Sequence, residues 1–159
     1  MYDFKIEAAD KASLYRDLES ALQGLVEGEP DPIANMANGI ALIWESLPDL
    51  NWAGFYRNVG GELVLGPFQG RPACIRIKLG EGVCGVAAAT RQVQRVDDVH
   101  AFDGHIACDS ASNSELVVPI IRDGELLAVL DLDSPTFGRF DADDEAGCVR
   151  LAERFARAI

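Results

Sequence analysis

The sequence predicts an α+β domain: an antiparallel β-sheet with N- and C-terminal helices packed on one side. Two observations predict it. Apolar residues recur at helical spacing near both ends of the chain, and between them lie strand-like runs joined by segments with tight-turn chemistry. The resulting order is helix, helix, strands, short helix, strands, helix.

The first helix is marked by Leu14, Leu18, Ala21, Leu22 and Leu25, with Asp10 placed to cap it and Gly28-Glu29-Pro30 to stop it. The second begins at Asp31, an N-cap followed by Pro32 in the first helical position. Its predicted apolar face is Ile33, Met36, Ala37, Ile40, Trp44 and Leu47, ending at Pro48.

From Asn51 the period changes. NWAGFYR and ELVLGPF read as two strands separated by the hairpin signature Asn58-Val59-Gly60-Gly61, and ACIRIKL as a third after a turn at Gly70. Gly80, Gly82 and Gly85 bracket a segment whose alanines suggest a short helix beginning near Cys84, and Asp97 to Ser114 reads as loop.

SELVVPII and ELLAVLDLD form another strand pair across Arg122-Asp123-Gly124, which suits a type I′ turn. Pro119 cannot donate to a ladder, so it belongs at an edge or a bulge. Asp141, Asp143 and Asp144 then open a last helix with Cys148, Ala152, Phe155 and Ile159 on one face. No repeat, low-complexity segment or linker interrupts the chain, so residues 1–159 are expected to form one domain.

A chain of 159 residues with 48% hydrophobic content can bury roughly 70% of its unfolded surface in one core. The N-terminus lacks the pattern of a secretory signal and no stretch approaches the ~20 apolar residues that span a bilayer, so a cytoplasmic protein is expected. Its thiols would then be reduced at rest. A net charge of −12 repels phosphate backbones and anionic headgroups, so neither nucleic acid nor membrane is an expected partner. The same acidity also serves solubility.

Of the four cysteines, Cys74, Cys84 and Cys108 fall in one Gly-rich segment that also holds His100 and His105 and leads to Glu115. Cys148 lies on the apolar stripe of the last helix and reads as core. Cys74, in a strand-like run, fits a core position or a reactive one. Cys84 is at a helix start, where the dipole can lower a thiol pKa. Cys108 lies in a loop with no amphipathic pattern and is the leading candidate nucleophile. Its neighbours Asp103, Asp109 and Glu115 would raise its pKa, so these acids must serve another step, such as protonating a departing oxygen.

Zinc is a weaker reading, because Cys74, Cys84 and Cys108 are far apart and only His105 and Cys108 have ligand spacing. A Cys-His hydrolase lacks a recognisable third orienting group. Asp131 and Asp133 alternate in LDLDS, so both point to one face of a strand. They read as a solvated edge or as a site for an ammonium group.

GVCG around Cys84, RVDDVH from Arg95 to His100, FDGHIACDSASNSE from Phe102 to Glu115, and LDLDS, together with NWAGFY and LGPFQG, resemble the free methionine-(R)-sulfoxide reductases, built on the GAF domain fold. The resemblance covers roughly residues 51–140, with the flanking helices fitting at both ends. It implies a single GAF domain, free L-methionine-(R)-sulfoxide as substrate, and no metal or organic cofactor. It implies further that Cys108 attacks the sulfoxide sulfur and becomes a sulfenic acid. Cys74 would resolve that acid as a disulfide, and Cys84 would be an auxiliary thiol passing oxidation to thioredoxin; which of the two resolves first stays open. Glu115 would polarise or protonate the sulfoxide oxygen. Asp131 and Asp133 would bind the ammonium or share in that proton transfer, and Trp52 and Tyr56, which also read as core, would wall the S-methyl group. A homodimer is implied as well.

The rival of another class is a non-catalytic GAF sensor for a small ligand such as a cyclic nucleotide, or for redox state, since one fold hosts many ligands. Paired carboxylates would repel a nucleotide phosphate. A sensor is also expected to be joined to an output domain, for which 159 residues leave no room.

Overall fold

A computed structural model describes residues 6, 8–104 and 110–159; Cys108, His105 and Asp109 lie outside the described residues. Helix α1 (Lys11–Val26) starts where the Asp10 carboxylate accepts the Ser13 N–H, and α2 (Pro32–Ser46) where Asp31 accepts the Ala34 N–H. Both caps match the sequence expectation. The buried face of α2 matches only in part, with Met36, Ile40 and Leu47 buried as expected. It consists of Asn35, Met36, Gly39, Ile40, Leu42 and Ile43, whereas Ile33 is 44% exposed and Ala37 is also exposed.

The reason is that a glycine and an asparagine occupy the face that apolar spacing would assign elsewhere. Gly39 admits the Phe155 ring, which a Cβ would approach to about 2.4 Å. Asn35 Nδ2 donates to the carbonyls of Glu29 and Ala158, tying α2 to the chain's C-terminal helix.

Strands β1 (Trp52–Val59) and β2 (Glu62–Gly70) form a hairpin whose two turn residues, Gly60 and Gly61, both have positive φ, as a type I′ turn requires. Only Arg76–Lys78 of the ACIRIKL run is strand; this is β3, at the sheet edge. Helix α3 (Gly82–Thr90) follows, then a three-residue strand the sequence did not announce, β4 (Gln94–Val96). A 3-10 turn, Val99–Ala101, interrupts the predicted loop. The last hairpin joins β5 (Ser114–Arg122) to β6 (Glu125–Ser134) through Asp123 and Gly124, again both at positive φ.

All neighbouring strands are antiparallel, in the order β3-β2-β1-β6-β5-β4. Pro119 pairs with β6 alone, because β4 pairs with β5 only as far as Val117; the proline thus sits where one side of β5 is open.

Period-2 alternation sorts the sheet into two faces. Phe55, Leu116, Val118, Ile120, Leu130 and Leu132 pack with α1, α2 and the C-terminal helix α4 (Ala142–Ala158). Trp52, Tyr56, Val117 and Val129 belong to a second core on the other face, with α3. The terminal helices therefore share one side, as expected, and α3 covers the other.

A polar pin holds α1 to α4. Asp144, 1% exposed, accepts from Tyr15 Oη at 2.9 Å, Lys11 Nζ at 2.6 Å and Arg139 at 3.0 Å, while completing a capping box with Asp141. Cys148 lies fully buried beside Tyr15, as its helical spacing predicts. Among the described residues no helix is long and apolar enough to cross a membrane.

Candidate functional site

The site arises from strand register. Glu115 on β5 pairs with Asp133 on β6, and Val117 with Asp131, so the three acids project from one face while Leu116, Leu130 and Leu132 go to the helical core. On the other side of β6, Trp52 pairs with Asp133 and Gly54 with Asp131. A Cβ on Gly54 would sit 2.4 Å from Trp52 Cη2 and 2.5 Å from Phe68 Cβ, so glycine there lets the indole lie over the sheet. Helix α3 crosses the same face and brings Cys84 Sγ to 3.9 Å from Glu115 Oε1.

Between sheet and helix lies a pocket that opens to solvent. Trp52, Tyr56, Pro72, Ala73, Ile77 and Val83 give it apolar walls. Cys84, Ser112, Glu115, Asp131 and Asp133 give it a polar floor. The aromatic wall is held in place. Trp52 stacks on Phe68 and Tyr56 at ring separations of 5.4 and 5.9 Å, its Nε1 donates to the Arg71 carbonyl, and Tyr56 Oη donates to the Cys74 carbonyl at 3.0 Å. Both aromatics are almost wholly buried, as the core reading expects, and both line the pocket.

The pocket's electrostatics are dominated by desolvation. Burial, then the charges of Asp131 and Asp133, raise the Glu115 pKa well above the usual carboxylate range. Burial pushes Asp131 up to about 6. Asp131 Oδ1 is buried with no hydrogen-bond partner among the described residues. No basic side chain lines the pocket among the described residues, whereas Glu81, Glu115, Asp131 and Asp133 all do, so a phosphate ligand would face a carboxyl cluster with no cation to pair with.

For Cys84 the sequence expectation is reversed. As the third residue of α3 it lies near the helix start, but its thiol points inward, and burial followed by Asp131 and Glu115 raises its pKa. A helix terminus carries about half a unit charge, too little to offset full desolvation next to two acids.

Cys74, half-buried, is disulfide-bonded, whereas Cys84 and Cys148 are free thiols. The structure thus brings Cys84, Glu115, Asp131, Asp133, Trp52 and Tyr56 into one pocket, whose lining does not include Cys74, although the Cys74 carbonyl accepts from the Tyr56 hydroxyl. His100 is not among the lining residues. Its Nε2 lies 3.1 Å from Asn113 Oδ1, bracing the loop ahead of β5. Ser112, 3% exposed, was missed as a site residue. It is held by Asn51, whose Nδ2 lies 3.0 Å from its hydroxyl, and the one available signal was its place inside the FDGHIACDSASNSE motif.

The GAF domain family matches residues 8–159. Protein ZMO0507 of Zymomonas mobilis is 55% identical, covering 100% of this chain and 99% of its own. The free methionine-R-sulfoxide reductase of Escherichia coli is 50% identical across 94% of this chain and 91% of that protein. The X-ray structure of free methionine-R-sulfoxide reductase from Neisseria meningitidis in complex with its substrate superposes with a TM-score of 0.95 at 42% identity, covering 99% of this chain and 95% of that one.

Proposed function

The chain belongs to the GAF domain family, and from that premise we propose that it is an oxidoreductase that reduces free L-methionine-(R)-sulfoxide to methionine by thiol chemistry. The observation that carries the proposal is the convergence of Glu115, Asp131 and Asp133 in one pocket walled by Trp52 and Tyr56. An amino acid with a thioether-like side chain needs a cation site at one end and an apolar wall at the other.

In this mechanism Asp131 and Asp133 hold the substrate ammonium, and the S-methyl group lies against Trp52 and Tyr56. Cys108 attacks the sulfoxide sulfur as the sulfur–oxygen bond breaks. Glu115, kept toward its neutral form by burial, protonates the oxygen. The oxygen departs as water to leave a sulfur–sulfur linked sulfonium, and a water molecule then attacks the Cys108 sulfur as that bond breaks, so methionine leaves and Cys108 becomes a sulfenic acid. The Cys74 thiol then attacks that sulfur, forming a disulfide and releasing the sulfenic oxygen as water. A disulfide at Cys74 with Cys84 free supports Cys74 as the first resolver. Exchange through Cys84 to thioredoxin returns the dithiol. The proposal includes a cytoplasmic homodimer.

A coupled assay tests it. The purified protein, with thioredoxin, thioredoxin reductase and NADPH, is expected to consume NADPH with free methionine-(R)-sulfoxide and not with the S epimer. Equal use of both epimers, or turnover only of peptide-bound sulfoxide, would refute it.

A further inference from the structure

Cys84, Glu115 and Asp131 each offer one ligand atom to the pocket, and these three atoms lie within 4.8 Å of one another. They come from α3, β5 and β6, so packing rather than a loop sets their spacing. A tetrahedral site with one thiolate and two carboxylate oxygens around zinc places its sulfur and oxygens about 3.5 Å apart. Cys84 Sγ and Glu115 Oε1 are already at 3.9 Å. An independent sign of a missing partner is Asp131. It is 5% exposed and lines the pocket, yet its Oδ1 has no hydrogen-bond partner among the described residues. Such an oxygen calls for a donor or a cation.

We propose that this pocket binds one thiophilic divalent cation of the zinc class through Cys84 Sγ and one oxygen each of Glu115 and Asp131, and that the ion excludes substrate. A sulfur ligand and a three-residue set suit zinc; magnesium and calcium need six or more oxygens. The ion acts as an inhibitor and not as a cofactor, because it occupies the two carboxylates assigned to substrate and proton. Ion binding stands on geometry alone. Exclusion of substrate rests on the functional reading above.

Cys84 stays free while Cys74 is disulfide-bonded, so the disulfide form can be used for the test. Titrating it with Co²⁺ is expected to give a sulfur-to-cobalt charge-transfer band of one-thiolate intensity, saturating at one equivalent and abolished by one equivalent of Zn²⁺. Cys84→Ser should lose the band, Cys148→Ser should keep it, and Glu115→Gln should weaken cobalt affinity at least tenfold. No band in the wild type, or an unchanged band in Cys84→Ser, overturns the site. In steady-state assays at buffered free Zn²⁺, the apparent KM for methionine sulfoxide should rise in proportion to zinc, with kcat unchanged. A KM indifferent to saturating zinc overturns substrate exclusion. Absence of reductase activity without zinc would sink the functional reading while leaving the cobalt result intact.

Discussion

Cys84 Sγ and Glu115 Oε1 approach to 3.9 Å from opposite walls of one pocket, the thiol on a helix and the carboxyl on the sheet beneath it. Burial raises the pKa of both, and each would be a negative neighbour to the other if ionised. The pair is therefore held toward its neutral form, which suits Glu115 to giving a proton and makes Cys84 a poor first nucleophile.

Glu115→Gln keeps the shape and removes the proton. Turnover is expected to fall ~10²–10³-fold, in the range of lost general acid catalysis. Melting temperature should hold or rise, since a buried acid crowded by Asp131 and Asp133 is replaced by a neutral amide. Parallel kcat and thermal melts check both halves; a variant with more than half of wild-type turnover would remove Glu115 from the proton transfer.

Asp131 should set a pH dependence on substrate binding. Burial raises its folded pKa to about 6 from a usual 3.8, so it is ionised above that pH and neutral below it. KM should rise as pH falls through about 6, and Asp131→Asn should have a high KM with no inflection there. For stability the sign is opposite to that of an ion-paired acid. The folded state retains a proton that the unfolded chain releases, so this group's contribution is lost as pH climbs from about 3.8 to about 6. KM profiles between about pH 5 and 8, and melts from about pH 3.5 to 7, follow the two effects.

Gly147→Ala should destabilise the fold while sparing the chemistry. An added Cβ would meet Tyr15 Cγ and Cδ1 at 2.2 Å, where α4 packs on α1. Overpacking at such a contact costs about 1–3 kcal/mol. The contact lies on the face of the sheet away from the pocket, so kcat/KM at 25 °C should be unchanged while urea unfolding shifts to lower concentration.

The cysteines should divide sharply under alkylation and mutation. Cys148 is fully buried, with its pKa pushed up to about 12, mainly by burial. Iodoacetamide on the native, reduced protein should leave it unlabelled, and Cys148→Ser should alter turnover little. Cys108→Ser should abolish turnover; full activity in that variant would assign the attack to another thiol.

Much of this fold was legible because local signals agreed with one another. Asp10, Asp31 and Asp141 announce helix starts by chemistry that needs no tertiary partner, and Gly60-Gly61 and Asp123-Gly124 announce their turns in the same way. The face of α2 was misread in part because Gly39 is buried to admit Phe155 from a distant helix, which apolar spacing within α2 cannot reveal. β4 is too short to display a period and exists through its pairing with β5. In the site, alternation in LDLDS correctly put Asp131 and Asp133 on one face, but their meeting with Glu115 and Cys84 depends on register and on α3 crossing above. The thiol pKa of Cys84 was misjudged for that reason: a helix start is visible in sequence, and the acids facing it are not.

The acids stand on β5 and β6, beside the middle of the six-stranded sheet, whereas Cys74 precedes a three-residue strand at its rim. Hydrogen exchange in the two regions should differ accordingly, because central strands open only with the whole domain and rims fray far below that threshold. In the proposed cycle, a rim that opens locally would expose the Cys74 disulfide to exchange while the carboxyl cluster keeps its shape. Under that proposal, exchange of oxidising equivalents with the outside would be uncoupled from the rigidity that recognition of a small molecule demands.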